Sequence, residues 1–353
     1  MNYNRLGNVQ EVQRRQMEAL HENAFVDPFQ ETRLDTLFGV ILNIMFPIKM
    51  LLRVYSLCIL MIDLSWVVVN AVFAVIQATY EVFRPPPMKS LSMETALVIG
   101  SGRGVGRELA IQLSELGAIV LCVDKNSANN KDTLEAIKMR DGSAMSFTCD
   151  ITKKSNVEEL AKQVKKEIGF VSMVFYCCGI PSPRSLLTQP PQDIHETLDL
   201  TLTSYFWLID QFMPAMKAKN HGHVVALTSV AGLSYIKDQM PLSVAQFAVQ
   251  GLAESLMEDL RINKIDGVHV TLTHIYPFIV GDESPDLRLR IPSYFGTLTP
   301  RAAASGILES VRRNYPEASV PKHLLFLGHL LRILPRKATV LIRDLLDTGV
   351  DFA

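Results

Sequence analysis

The sequence predicts an α/β protein in which a doubly wound parallel sheet follows an N-terminal membrane-anchor helix or hairpin. Three observations carry that expectation. From residue 93 onward, short apolar runs alternate with amphipathic helical stretches. A glycine-rich turn, Gly100–Gly106, lies between the first such run and the first such helix. Finally, the stretch from Leu37 to Tyr80 is almost uninterruptedly apolar.

The bulk properties narrow the classes open to such a chain. Its 353 residues suffice for one large domain or two ordinary ones. With 35 basic and 36 acidic residues, net charge −1 and a pI near 6.7, no global basic field calls for nucleic acid. The five cysteines, an odd number that includes adjacent Cys177 and Cys178, do not form a disulfide framework, and no Cys/His spacing suits a metal; they read as reduced cytosolic thiols.

Mean hydropathy is +0.18, high for a soluble protein, and residues 37–84 account for much of it. The first 36 residues are polar and carry no apolar core next to a small-residue cleavage site, so a removable signal is not expected. Within the apolar region, Val54–Tyr80 is a run of 27 residues, about 40 Å at helical rise and enough to cross a hydrocarbon core. Ser56, Asp63, Asn70 and Gln77 recur every seven residues as a narrow polar stripe, expected to turn toward a protein partner. Pro47 and the Lys49–Arg53 region could divide the segment into a hairpin; a single span from Val54 is the alternative. Residues 85–92, rich in proline, read as a stiff linker.

The domain at 93–320 begins with strand, glycine turn, helix, strand. Ala96–Ile99 and Ile119–Val123 are buried-strand runs. Val105, Leu109, Ala110, Leu113 and Leu116 give the intervening helix one apolar face, and Gly117 caps it. Gly100, Gly104 and Gly106 form G-x-x-x-G-x-G, with Gly102 in addition. Side-chain-free backbone at a helix N-terminus is suited to a pyrophosphate. Asp124, 18 residues after Gly106 at the end of the next strand, is placed to accept from adenosine ribose hydroxyls. Its charge would repel a 2′-phosphate and favours NAD, whereas Arg103 and Lys125 could pair with that phosphate and favour NADP. The balance is drawn toward NAD.

This glycine spacing resembles that of the short-chain dehydrogenases/reductases, with Ile99 where the family has threonine. The resemblance extends over about Met93 to Val320. Asp150 and Ile151, in "CDIT", match the acid and its neighbour at the adenine. "FWLIDQFMPAMKAKNHGHVVALTSVAGL" is similar to the segment leading to the catalytic serine, and Pro277 in "THIYPF" matches the proline after the sixth strand. The anchor, the linker and the C-terminal segment 321–353 look like the membrane-associated retinol and hydroxysteroid dehydrogenase branch. That likeness implies an endoplasmic reticulum or lipid-droplet location with the domain in the cytosol, a homodimer or a heterodimer with an active relative, and lipophilic alcohols or ketones as ligands. On physics alone, Leu324, Leu325, Leu327, Leu331 and Leu334, with Lys322, Arg332, Arg336 and Lys337, suit a second membrane-contacting helix or an ordinary packing helix.

The family's reaction implies a tyrosine as acid/base, a lysine one helical turn later that lowers its pKa, a serine on the reacting oxygen, and an asparagine behind the lysine. Here Ser229 keeps the serine. Leu242, Gln246 and Thr201 stand at the tyrosine, lysine and asparagine positions, and Tyr176, Cys177, Cys178 and Gly179 replace asparagine–asparagine–alanine–glycine. Leucine moves no proton, and losing the acid/base costs about 100- to 10,000-fold in rate. None of the nine tyrosines has lysine four residues on. Tyr235, Lys237, His221 and His223 are the remaining candidates for a relocated pair. The expectation is a dinucleotide-binding, catalytically silent member acting as scaffold or regulator. The alternatives are an active NAD(P)-dependent oxidoreductase with a rearranged site, or a subunit that activates an intact relative.

Overall fold

The computed structural model describes residues 28–178, 194–229, 240–275 and 298–346. It divides into two compact units, Met1–Pro85 and Pro86–Ala353.

The described residues of the first unit form one helix, α1, Pro28–Phe83, which runs through Pro47 without turning back. The hairpin therefore does not form. Losing one backbone hydrogen bond at Pro47 is not enough to end a helix whose neighbours are leucine, isoleucine and methionine on both sides. Phe46–Phe83 is long and apolar enough to cross a membrane, and its large side chains are exposed throughout. Its composition and length fit a membrane anchor. The polar stripe is partly satisfied within the helix itself: Asn70 Nδ2 donates to Trp66 O at 2.7 Å and Gln77 Nε2 to Glu81 Oε1 at 2.9 Å.

The second unit is a seven-stranded parallel sheet in the order β3-β2-β1-β4-β5-β6-β7. The strands are β1 Thr95–Ile99, β2 Ile119–Asp124, β3 Ala144–Thr148, β4 Met173–Tyr176, β5 Gly222–Ser229, β6 Val268–Ile275 and β7 Glu317–Val320. Between them run α2 Gly104–Glu115, α3 Ser127–Lys138, α4 Lys154–Glu167, α5 Ile194–Leu198, a π turn at Asp199–Thr203, α6 Ser204–Lys219, α7 Met240–Ile262 and α8 Pro300–Arg312. The chain continues with α9 His323–Ile333 and α10 Arg336–Leu346.

The apolar alternation along each strand feeds two cores. Leu97, Ile99, Ala226 and Leu272 face α4, α6 and α7. Ala96, Val98, Val225 and Leu227 face α2 and α8. Burial on both sheet faces is why these strands read as continuous apolar runs. After β3 the chain returns to the other side of β1 to lay down β4. The crevice at the carboxyl ends of β1 and β4 is thus the topological switch point, where α/β sheets bind ligands.

Candidate functional site

The glycine turn sits at that crevice, and its shape requires its glycines. Gly100 has φ +85° and Gly104 φ +59°, both left-handed. A Cβ on Gly106 would lie 2.0 Å from the Gly100 carbonyl oxygen, and one on Gly100 would lie 2.8 Å from Cys178 Sγ. At Gly104 a Cβ would meet nothing within 4 Å, so the exposed face of the turn is an open cradle.

The turn is held from behind. Gly100 N and Ser101 N donate to Val123 O at 2.7 and 3.2 Å. Ser101 Oγ donates to Asn130 Oδ1 at 2.8 Å, and Thr133 Oγ1 donates to Ser101 O at 2.9 Å. Asn130 Nδ2 donates in turn to Cys122 O and Phe147 O, both at 3.0 Å. Asn130 and Thr133 were not singled out from sequence; the available signal was two polar residues three apart on the inward face of α3.

Asp124 ends β2 half-buried. Its Oδ2 accepts from Gly102 N at 2.9 Å and its Oδ1 from Asn126 N at 2.8 Å. Each oxygen keeps a second lone pair, as a ribose diol would need. Asp150 Oδ1 accepts from Thr152 Oγ1 at 2.6 Å and Thr152 N at 3.1 Å; the Thr152 hydroxyl is the main reason its carboxyl titrates below the usual range. Ile151 beside it is buried, Val105 is half-buried, and Arg103 is exposed at the mouth of the turn. These residues fit the adenosine–pyrophosphate half of a dinucleotide. Gly179 and Pro277, expected at the nicotinamide end, lie outside the described residues, as do Tyr235 and Lys237.

The described residues of the reacting half are buried. Ser229 ends β5 fully buried, and its backbone N donates to Gln246 Oε1 at 2.7 Å. The Thr228 hydroxyl donates to the same oxygen. Gln246 is itself fully buried, and Leu242 one turn earlier is 6% exposed. The amide at the expected lysine position therefore ties α7 to the end of β5. Thr201 is buried in the π turn before α6. Phe247 is exposed, because Leu242, Ala245, Val249 and Ala253 fill the inward face of α7.

The neighbouring tyrosines do not replace the missing one. The Tyr176 hydroxyl bonds to Leu200 O and the Ser204 hydroxyl, and its ring stacks on Tyr205 at 3.5 Å between centroids. Tyr205 donates to Leu227 O at 3.2 Å. Burial pushes both phenols well above their ordinary range. Burial, reinforced by Asp124, likewise pushes the Cys178 thiol up to about 12, and burial raises Cys177, so neither is a thiolate nucleophile near neutral pH.

His221 and His223 lie at the amino end of β5, the far end from Ser229. A group that sequence reasoning missed is His274 on β6, in register with Thr228. It is fully buried, its Nε2 pairs with Glu317 Oε1 at 2.9 Å, and its Nδ1 has no partner. The signal available was a histidine continuing the alternate positions Val268, Val270 and Leu272, which are otherwise apolar.

A parallel sheet in this order, with a glycine cradle at the switch point and an acid closing β2, defines a dinucleotide-binding α/β protein of dehydrogenase type. A family model for short chain dehydrogenase matches residues 94–285. Human (Homo sapiens) epidermal retinol dehydrogenase 2 is 31% identical over 279 residues, 78% of this chain and 90% of that protein. Human retinol dehydrogenase 10 is 26% identical over 283 residues, 72% and 82% of the two chains. Among solved structures, a short-chain dehydrogenase/reductase from Burkholderia xenovorans superposes with TM-score 0.56 at 24% identity, over 65% of this chain and 94% of that one. A metagenomic short-chain oxidoreductase in complex with NADP gives 0.52 at 22%, over 65% and 98%. The chain belongs to the short-chain dehydrogenase/reductase family, on its retinol-dehydrogenase-like branch, a family that binds NAD(P).

Proposed function

We propose that this chain is a membrane-anchored family member that binds a dinucleotide but no longer moves the alcohol proton, acting as a scaffold or regulator. The observation that carries the reading is Gln246. Its amide oxygen is committed to Ser229 N and the Thr228 hydroxyl, and the residue one turn earlier is a leucine. A bound nicotinamide dinucleotide would supply hydride acceptance or donation. The described residues supply the cradle, the ribose acceptor Asp124 and a serine, and among them there is no phenol poised to ionise at that point. Asp124 favours NAD over NADP. The endoplasmic reticulum or a lipid droplet is the proposed location, with the domain in the cytosol. The exposed side of α7, with Val244 and Phe247, suits pairing with a second copy or an active relative.

A second reading is an active oxidoreductase of lipophilic alcohols or ketones, as the names of its retinol dehydrogenase relatives would imply. It is favoured by His274, a buried imidazole beside Thr228 whose Nδ1 is unpartnered.

The full chain, reconstituted in nanodiscs, is titrated with NADH and NADPH by fluorescence and then assayed with retinol and hydroxysteroids. Tighter NADH binding without turnover is the expected result. Turnover that disappears in Ser229→Ala and His274→Phe would replace the first reading with the second.

A further inference from the structure

The C-terminal helix α9 has two apolar sides with different fates. Leu324 and Gly328 are buried against the domain, and Leu325, Leu327, Leu331 and Leu334 are half-buried beside them. The leucines that sequence reasoning offered to a membrane therefore pack inward. On the other side, Phe326, Leu330 and Ile333, at offsets 0, 4 and 7, are 74%, 39% and 81% exposed. Leu341 of α10 adds another residue at 70%.

This is a held surface rather than a loose tail. Ser319 Oγ accepts from Leu325 N at 2.8 Å, and His329 Nε2 pairs with Glu317 Oε2 at 3.2 Å. Arg332 Nη2 donates to Gln250 Oε1 at 2.9 Å, and Thr339 Oγ1 donates to Leu331 O at 2.9 Å, joining α10 to α9. Single exposed apolar residues are ordinary, but a rigid stripe at one-face spacing marks an interaction site.

Its charge says what it faces. Residues 322–342 contain Lys322, Arg332, Arg336 and Lys337 and no aspartate or glutamate. Lys322 is paired with Glu309 at 2.8 Å and Arg332 is held by Gln250, but Arg336 and Lys337 are exposed just past the stripe, where they complement an anionic lipid surface, with the rings and branched chains at the acyl boundary and these cations among the headgroups. If α1 is an anchor, the domain is covalently tied to a bilayer, and a second lipid contact becomes effectively intramolecular.

We propose that Phe326, Leu330, Ile333 and Leu341 form a second, interfacial lipid contact that lays this face of the domain on an anionic bilayer. The inference rests on the anchor reading of α1, and the test separates the two. The full chain has two tryptophans, Trp66 in α1 and Trp207 in the domain. Phe326→Trp is placed in a Trp66→Phe, Trp207→Phe background and reconstituted in phosphatidylcholine nanodiscs with or without phosphatidylserine. A companion chain keeps Trp66 alone.

The expected result at position 326 is blue-shifted emission, largely lost with lipids brominated near the headgroup. The loss should be greater with phosphatidylserine and weakened by Arg336→Glu with Lys337→Glu. Unquenched emission at 326 overturns the second contact, whether it is red-shifted by water or blue-shifted by a protein neighbour. Quenching of Trp66 by deep bromines alongside that result leaves the anchor standing, whereas quenching at neither position overturns both.

Discussion

Replacing Gln246 by leucine tests the bracing role of the amide directly. The substitution keeps the volume near that of glutamine but removes the acceptor of two donors, Ser229 N and the Thr228 hydroxyl, both on fully buried residues. The other carbonyls within reach of the Thr228 hydroxyl, those of Ser229 and Gln246, are at 3.5 Å and too long to compensate. A buried donor left unpaired costs about 1–3 kcal/mol. Two such donors, less the gain from a buried leucine, give about 2–5 kcal/mol. For a domain of this size that is a fall in Tm on the order of 5–15 °C. The assay is thermal unfolding of the full chain in nanodiscs by near-ultraviolet circular dichroism, paired with Thr228→Val and the double variant. Additive losses, or a Tm within a degree of the parent for Gln246→Leu, would refute the bracing argument. The same reasoning predicts that Leu242→Tyr with Gln246→Lys fails to create turnover, since lysine offers those donors no acceptor.

Other outcomes follow from the same geometry. Gly106→Ala forces a Cβ to within 2.0 Å of the Gly100 oxygen and should weaken NADH binding more than about tenfold by titration, whereas Gly104→Ala, sterically free, should cost only about 1 kcal/mol for its left-handed φ. Tyr176→Phe strips a buried hydroxyl from Leu200 O and Ser204 and should lower stability by about 1–2 kcal/mol in urea unfolding without changing NADH affinity. His223 is held well below its ordinary value of 6.5, first by burial and then by Lys89 and His269. The Lys89 ammonium donates to its Nδ1 at 2.8 Å, and its Nε2 donates to Thr271 Oγ1, whose hydroxyl donates to Tyr315 O. The stability of the neutral ring is complete above pH 6.5 and drains as pH falls toward the folded value, so His223→Gln should flatten the acid side of the stability–pH curve.

What the sequence revealed and what it concealed divide by the range of the interactions. Gly100, Gly106 and Asp124 were legible because a tight turn and the strand after it are local, and their spacing encodes the turn. The exchange of tyrosine and lysine for Leu242 and Gln246 was legible by position. What Gln246 does was not, because Thr228 lies 18 residues away and meets it only after α7 docks on β5. Pro47 read as a hairpin corner, since the sequence marks a missing donor without weighing it against the helix on either side. His274 and Glu317 sit on different strands, and nothing local announces that they pair.

The turn that receives the pyrophosphate is fastened by Val123, Asp124, Asn130 and Thr133, none of which belongs to β5 or α7. Under the proposed reading, substitutions at β5 and α7 that remove the chemistry leave the grip on a nucleotide intact. Because folding has already ordered the cradle, a ligand arriving there need not spend affinity on shaping it, and occupancy can track the free dinucleotide level even where no bond is made or broken.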